Sequence, residues 1–199
     1  MNPLKSIPGT IISGFVLAII LIFVLGRNPG GINPWEFWVW IHVLVGITWI
    51  GLLYYFNFVQ TPAMPKAKAD GTAAGITKHV APLALLWFRW AALATWISGV
   101  LIIEAMKSST GFGVLDVFTF KAIGNARIIG MGAWLGTIML FNVWVLIWPN
   151  QKKILGIVQA TDEEKVKAGF IALMASRTNT LLSIPMLLGM TAFNHNFPF

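Results

Sequence analysis

Long apolar runs, rather than alternation, dominate the pattern of this chain. A helix needs about 20 mostly apolar residues to cross roughly 30 Å of hydrocarbon, and five stretches reach that scale. The first is Ile11–Leu25, bounded by Pro8-Gly9 and by Arg27-Asn28-Pro29-Gly30-Gly31. No small-residue cleavage motif follows it, so it reads as an anchor rather than a removed signal peptide. The second is Pro34–Gln60, with proline well placed to open a helix. The third is Pro82–Met106, again opened by proline, and the fourth is Ile128–Trp148, stopped by Pro149-Asn150. The fifth is Ala168–Phe193, with Pro185 inside it and a kink expected there. Gly113–Arg127 mixes apolar and polar positions and reads as an interfacial helix or a loop folded against the bundle. The expected fold class is all-α, a polytopic transmembrane bundle of about five spans. Residues 1–33 form an anchor helix and loop, and 34–199 a four-helix transmembrane domain.

Composition agrees with the pattern. Of 199 residues, 57% are apolar and 11% charged, against roughly 25% charged in an ordinary soluble domain. The mean hydropathy is +0.75, which argues against a soluble enzyme. The absence of cysteine excludes disulfides, zinc–thiolate sites, iron–sulfur clusters and covalently attached c-type haem. A net charge of +7 would suit nucleic acid, but no basic stripe alternates with polar surface, so no nucleic-acid partner is expected. The charge fits basic cytoplasmic loops instead. Lys5, Lys66, Lys68, Lys78, Lys152, Lys153, Lys165 and Lys167 fall on one side of the spans. Arg27, Lys107, Lys121 and Arg127 fall on the other. The imbalance places the N-terminus in the cytoplasm and the C-terminus in the periplasm of a bacterial inner membrane. Most of the ten tryptophans lie near span ends, where an indole meets both apolar and wet surroundings.

Polar residues within the spans are the candidates for chemistry, because a charge at mid-membrane costs roughly 2.5–3.5 kcal/mol on insertion scales. Arg89, Asn142, Arg177 and Asn179, with Asn57 and Thr180, fall at one level in the cytoplasmic half. The bland reading is interhelical hydrogen bonding. The sharper one is that Arg89, Asn142, Arg177 and Asn179 bind a flat anion, since guanidinium offers a rigid fork of donors.

The three histidines are His42, His79 and His195. His42 lies about two turns into the second span from the outer side, with Gly46 one turn on, which leaves room beside the imidazole for a porphyrin edge. Neutral imidazole is the usual axial ligand of b-type haem. His195 falls near the same depth, at the outer end of the fifth span, so His42 and His195 are the candidate metal ligands. His79 precedes the third span on the cytoplasmic side and is the third cofactor candidate.

At these residues the chain resembles the membrane-bound urate oxidase family. The resemblance rests on Trp40-Ile41-His42-Val43-Leu44-Val45-Gly46-Ile47-Thr48-Trp49-Ile50-Gly51, on Trp87-Phe88-Arg89-Trp90 and on Thr95-Trp96-Ile97-Ser98-Gly99. It continues through Gly132-Ala133-Trp134-Leu135-Gly136-Thr137, Asn142, Pro149-Asn150-Gln151-Lys152-Lys153, and Arg177 to Pro185, ending in Asn194-His195. These blocks run from Pro34 to the C-terminus in the family's order. The resemblance implies oxidation of urate with electrons passed to a cytochrome c. Long members of the family carry that cytochrome as a periplasmic C-terminal domain. No CxxCH is present here, so the expected acceptor is a separate cytochrome c. A fainter similarity is to membrane haem proteins of the protoporphyrinogen-oxidase type.

The expected function is therefore a urate-oxidase-like redox protein with a b-type haem, embedded in the bilayer as a homo-oligomer or as part of a larger complex. Two alternatives stay open at this point. One is a haem-binding electron-transfer or assembly subunit without a substrate of its own. The other is a cofactor-free transporter or structural subunit of a membrane complex.

Overall fold

A computed structural model describes residues 2–26 and 31–195. Among them all regular structure is helical, and five helices are long and apolar enough to cross a membrane. The chain divides into two units, residues 1–33 and 34–199.

The first unit holds a single long helix, α1 (Ile7–Leu25). Ser6 caps it by accepting the Gly9 N–H at 3.2 Å, which satisfies one of the orphan donors of the first turn. None of its side chains is buried. Its residues are apolar on every face, the pattern of a helix that needs an apolar surround.

The second unit holds α2 (Pro34–Ala69), α3 (Ala73–Thr110), the short α4 (Val114–Phe118), α5 (Ala126–Ile154) and α6 (Asp162–His195). The four long helices outrun the apolar stretches of the sequence because each continues through polar turns, such as Thr61–Ala69 of α2. Two antiparallel hairpins, α2–α3 and α5–α6, provide the closest packing. Both hairpins turn at the same end through a left-handed glycine. Gly71 has φ +72°, and Gly156 has φ +73°. In each case the following amide reaches back five residues, Thr72 to the Ala67 carbonyl at 2.8 Å and Ile157 to the Lys152 carbonyl at 2.9 Å. These are Schellman closures, which glycine makes without a Cβ penalty. The opposite end is closed by α4. Its Val117 is fully buried, and its Phe118 carbonyl accepts the Trp134 indole N–H at 2.8 Å. The segment Gly113–Arg127, read as interfacial helix or loop, is a short helix, Val114–Phe118, followed by a turn and loop into α5.

Large apolar side chains lie on the outside of the bundle as well as in its core. α6 buries Ala168, Ala172, Ala175, Asn179, Ser183, Met186, Gly189 and Ala192, a mostly small stripe at helical spacing. Its outward side chains include Val166, Phe170, Leu181 and Ile184. Small residues let helix backbones approach closely. At Gly189 a Cβ would lie 3.1 Å from the Gly132 backbone nitrogen and 3.2 Å from its Cα. Pro185 sits within α6, which runs on to His195 without a break.

Side chains larger than glycine at this crossing must therefore drive the backbones apart. Gly189→Leu should destabilise by about 1–3 kcal/mol or more. At Gly169 a Cβ meets nothing within 4 Å, so Gly169→Ala should be neutral or gain up to about 1 kcal/mol. Denaturant unfolding in detergent checks both.

Candidate functional site

A cavity of about 680 Å³ lies among α2, α3, α5 and α6, towards the end that α4 closes. Its walls are mainly apolar, with His42, Gly46 and Trp49 from α2, Thr95, Trp96 and Gly99 from α3, Ala133 and Gly136 from α5, and Met186, Met190 and His195 from α6. The volume and the few polar groups in an apolar lining are those of an ordinary ligand or cofactor pocket. Above it, Ile103, Met106, Val117, Ala122, Ala126 and Ala133 form one core cluster. Below it, a larger cluster centres on Leu53, Phe88, Met139 and Val143.

His42 is the cavity histidine whose ring is held by hydrogen bonds to a second helix. Its Nδ1 lies 2.8 Å from the Thr95 carbonyl oxygen and 3.2 Å from Ser98 Oγ. A carbonyl only accepts, so Nδ1 carries the proton. Nε2 then keeps its lone pair, and no partner holds it among the described residues. A carbonyl on Nδ1–H with Nε2 left free is the arrangement that orients a metal-ligating imidazole. The ring is pressed against α3: a Cβ on Gly99 would lie 3.1 Å from His42 Cε1. Gly99 is therefore what admits the ring at this depth. Trp49, only 2% exposed, borders the cavity with its indole N–H buried and without a partner. His195 also lines the cavity, from an exposed position in the last turn of α6. His79 does not. It is exposed near the hairpin end of α3, sixteen residues before Thr95, which is about 24 Å of helix.

The second polar level is built differently. Asn142 and Asn179 are buried and face each other, Asn142 Nδ2 donating to Asn179 Oδ1 at 2.8 Å. Asn179 Nδ2 in turn donates to the Met139 carbonyl at 2.9 Å. Asn57 Nδ2 donates to Ser176 Oγ at 2.8 Å and to the Leu53 carbonyl at 2.9 Å. Tyr54 and Ser183 hydroxyls meet at 3.0 Å. These contacts tie α6 to α2 and to α5.

They also answer a backbone requirement. Three π-helical segments interrupt the long helices, Tyr55–Gln60, Ile76–Val80 and Asn142–Ile147. A π turn shifts the hydrogen-bond ladder and disturbs carbonyl pairing. At each one a polar side chain caps a carbonyl. Asn57 takes the Leu53 oxygen, Thr77 the Ala73 oxygen at 3.0 Å, and Asn150 the Leu146 oxygen at 2.7 Å.

The arginines take no part in this network. Arg89 is half-buried, with its guanidinium carbon 3.9 Å from the centroid of the Trp148 ring and one long bond to the Leu85 carbonyl at 3.5 Å. Arg177 is exposed. Two residues along a helix turn by about 200°, so burying Asn179 sends Arg177 outward. The four residues read from the sequence as an anion site thus fall into a bonded asparagine pair and two separate arginines, and none of them lines the cavity. The residues that fix the geometry, Thr95, Ser98, Gly99, Tyr54, Ser176 and Ser183, were not singled out as site residues. Small and hydroxyl residues within a span were the available signal.

The family model described as Urate oxidase N-terminal matches residues 106–199. That stretch takes in α4, α5 and α6 with Asn142, Asn179 and His195, while His42, His79 and Arg89 lie outside it. No curated protein and no solved structure matches the chain.

The asparagine pair should show coupling. Asn142→Leu and Asn179→Leu should each destabilise by leaving a buried amide without its partner. The double variant should lose less than their sum, by about 0.6–1.7 kcal/mol. A double-mutant cycle in detergent measures it, and strict additivity would show that the two amides do not hold each other.

Proposed function

We propose that this chain is the membrane-embedded part of a urate-oxidase-related redox system and that its cavity holds a b-type haem through His42. The observation that carries the haem assignment is the His42 imidazole itself. Its Nδ1–H is committed to the Thr95 carbonyl, and its Nε2 lone pair is left available on a residue that lines a largely apolar cavity. The residues present suit the group. Glycines at 46, 99 and 136 flatten the walls, His195 offers a second imidazole, and Asn194 and Thr191 add polar groups near it. A b-type haem supplies one-electron redox chemistry when bound.

The chain's own residues do the rest. Thr95 fixes the tautomer and rotation of His42. Ser98 Oγ, itself bonded to the Ala94 carbonyl at 2.7 Å, braces the same nitrogen. The family match over α4 to α6 supports urate, or a similar planar anion, as the electron source. The bilayer placement rests on the five apolar helices and on their outward apolar faces. The lysine-rich hairpin end, with Lys66, Lys68, Lys152, Lys153, Lys165 and Lys167, belongs on the cytoplasmic side of a bacterial inner membrane. His42 and His195 then lie toward the periplasm, where a separate cytochrome c accepts the electrons.

An optical spectrum of the full chain, expressed with ample haem, tests this. The wild type should show a Soret band, and a colourless wild type sinks the assignment. His42→Ala should insert and lose the band, whereas His79→Ala should keep it. His195→Ala reads the second ligand: loss of a low-spin spectrum makes His42 and His195 an axial pair, and an unchanged spectrum removes His195 from the ligand set.

A further inference from the structure

At the hairpin end of the bundle, two cations share one indole. The Arg89 guanidinium lies 3.9 Å from the centroid of the Trp148 ring, and Lys152 Nζ lies 6.0 Å from the same centroid. All three side chains are half-buried. No carboxylate lies within ion-pair distance of Arg89 or Lys152 among the described residues. The ion pairs found there are Lys153–Glu164 and Lys165–Asp162. Guanidinium has five N–H donors, and among the described residues Arg89 makes one hydrogen bond, the 3.5 Å one to the Leu85 carbonyl. A ring contact uses the flat face of a guanidinium and leaves its edge free for bidentate bonding to an oxyanion.

The surface leading away from this cluster is apolar. α3 and α5 meet there through side chains, the Trp90–Trp144 edge-to-face pair at 5.4 Å and the Trp96–Thr137 hydrogen bond at 2.9 Å. Trp90, Ile97, Ile138 and Phe141 of these two helices are exposed. Two unpaired cations sit beside an amphipathic aromatic residue at the end of an exposed apolar seam. Charge complementarity therefore calls for an anion carrying long apolar chains.

We infer that Arg89, Trp148 and Lys152 bind the phosphate of an anionic phospholipid headgroup, whose acyl chains lie along the α3–α5 seam. Basic pockets between helices at the cytoplasmic face suit such headgroups. The inference rests on the bilayer placement proposed above and is independent of haem. Arg177, also cationic but exposed and without an aromatic partner, is the internal control.

Purified full chain in neutral detergent is titrated with dioleoyl phosphatidylglycerol, dioleoyl phosphatidylcholine or inorganic phosphate, and bound lipid is counted by native mass spectrometry. Phosphatidylglycerol should be retained at concentrations where phosphatidylcholine is not. Arg89→Gln should weaken that retention about five- to tenfold, from about 1 kcal/mol per interfacial cation. Arg89→Lys, which keeps the charge and the fold, should weaken it less, and Arg177→Gln should leave it unchanged. Equal retention of the two lipids, an Arg177→Gln loss as large as that of Arg89→Gln, or displacement by millimolar phosphate overturns the inference. The first two would mean unspecific adsorption, and the third a free-anion site. Release of the chain from membranes by alkaline carbonate would instead refute the bilayer placement, a separate failure.

Discussion

The contact on which the second unit depends is the seam between α5 and α6. There the backbones of Gly132 and Gly189 nearly touch, and Asn142 and Asn179 share a buried hydrogen bond. The glycine crossing fixes the distance between the helices. The asparagine bond fixes their rotation and their register, because a buried amide cannot slide by a turn without losing its partner. With α6 locked in rotation, Ser176 and Ser183 face Asn57 and Tyr54 of α2, and His195 comes round to the cavity. The hydrophobic effect could not specify this rotation in lipid, where an outward leucine is as well placed as an inward one.

The two ends of the bundle solve different problems. Towards the hairpin turns, polar side chains are spent on one another and on the carbonyls that the π turns disturb. The amides and hydroxyls of that end are largely committed to one another, while Arg89 and Lys152 keep free donors. Towards α4, small residues at 46 and 136 fail to fill the space between the helices, and the result is a cavity rather than a core. His42 stands in that space because the Thr95 carbonyl gives it a partner in a medium where an unpaired imidazole N–H is costly. One hydrogen bond thus serves burial and orientation together.

Much of the architecture was legible in the sequence, because five apolar runs and their proline and glycine stops are one-dimensional signals. The common depth of Asn57, Asn142 and Asn179 was legible too, by counting helical turns from the span ends. Their partners were not. Counting gives the level of a side chain but not its azimuth, and Arg177 shows the consequence: it shares the level of Asn179 and faces the opposite way. The π turns were equally hidden. They leave no composition signature, and each changes the azimuth of every residue beyond it. The Thr95 carbonyl that orients His42 belongs to the backbone, and no residue type announces it.

Azimuth also explains why a polar residue within a span is weak evidence of chemistry by itself. Asn142 and Arg177 are both polar and both deep in their helices, yet the first is consumed by packing and the second is not enclosed by the fold at all. His42 differs from both. Its geometry satisfies one nitrogen and leaves the other without a partner, beside empty apolar volume. A group held for structure spends its donors on neighbouring helices, as the asparagine Nδ2 groups do. An imidazole half satisfied at the edge of a cavity carries an unused lone pair that faces volume a ligand can fill. The Trp49 indole N–H beside it is also unmatched, but it can only donate, and of the two only His42 offers a lone pair.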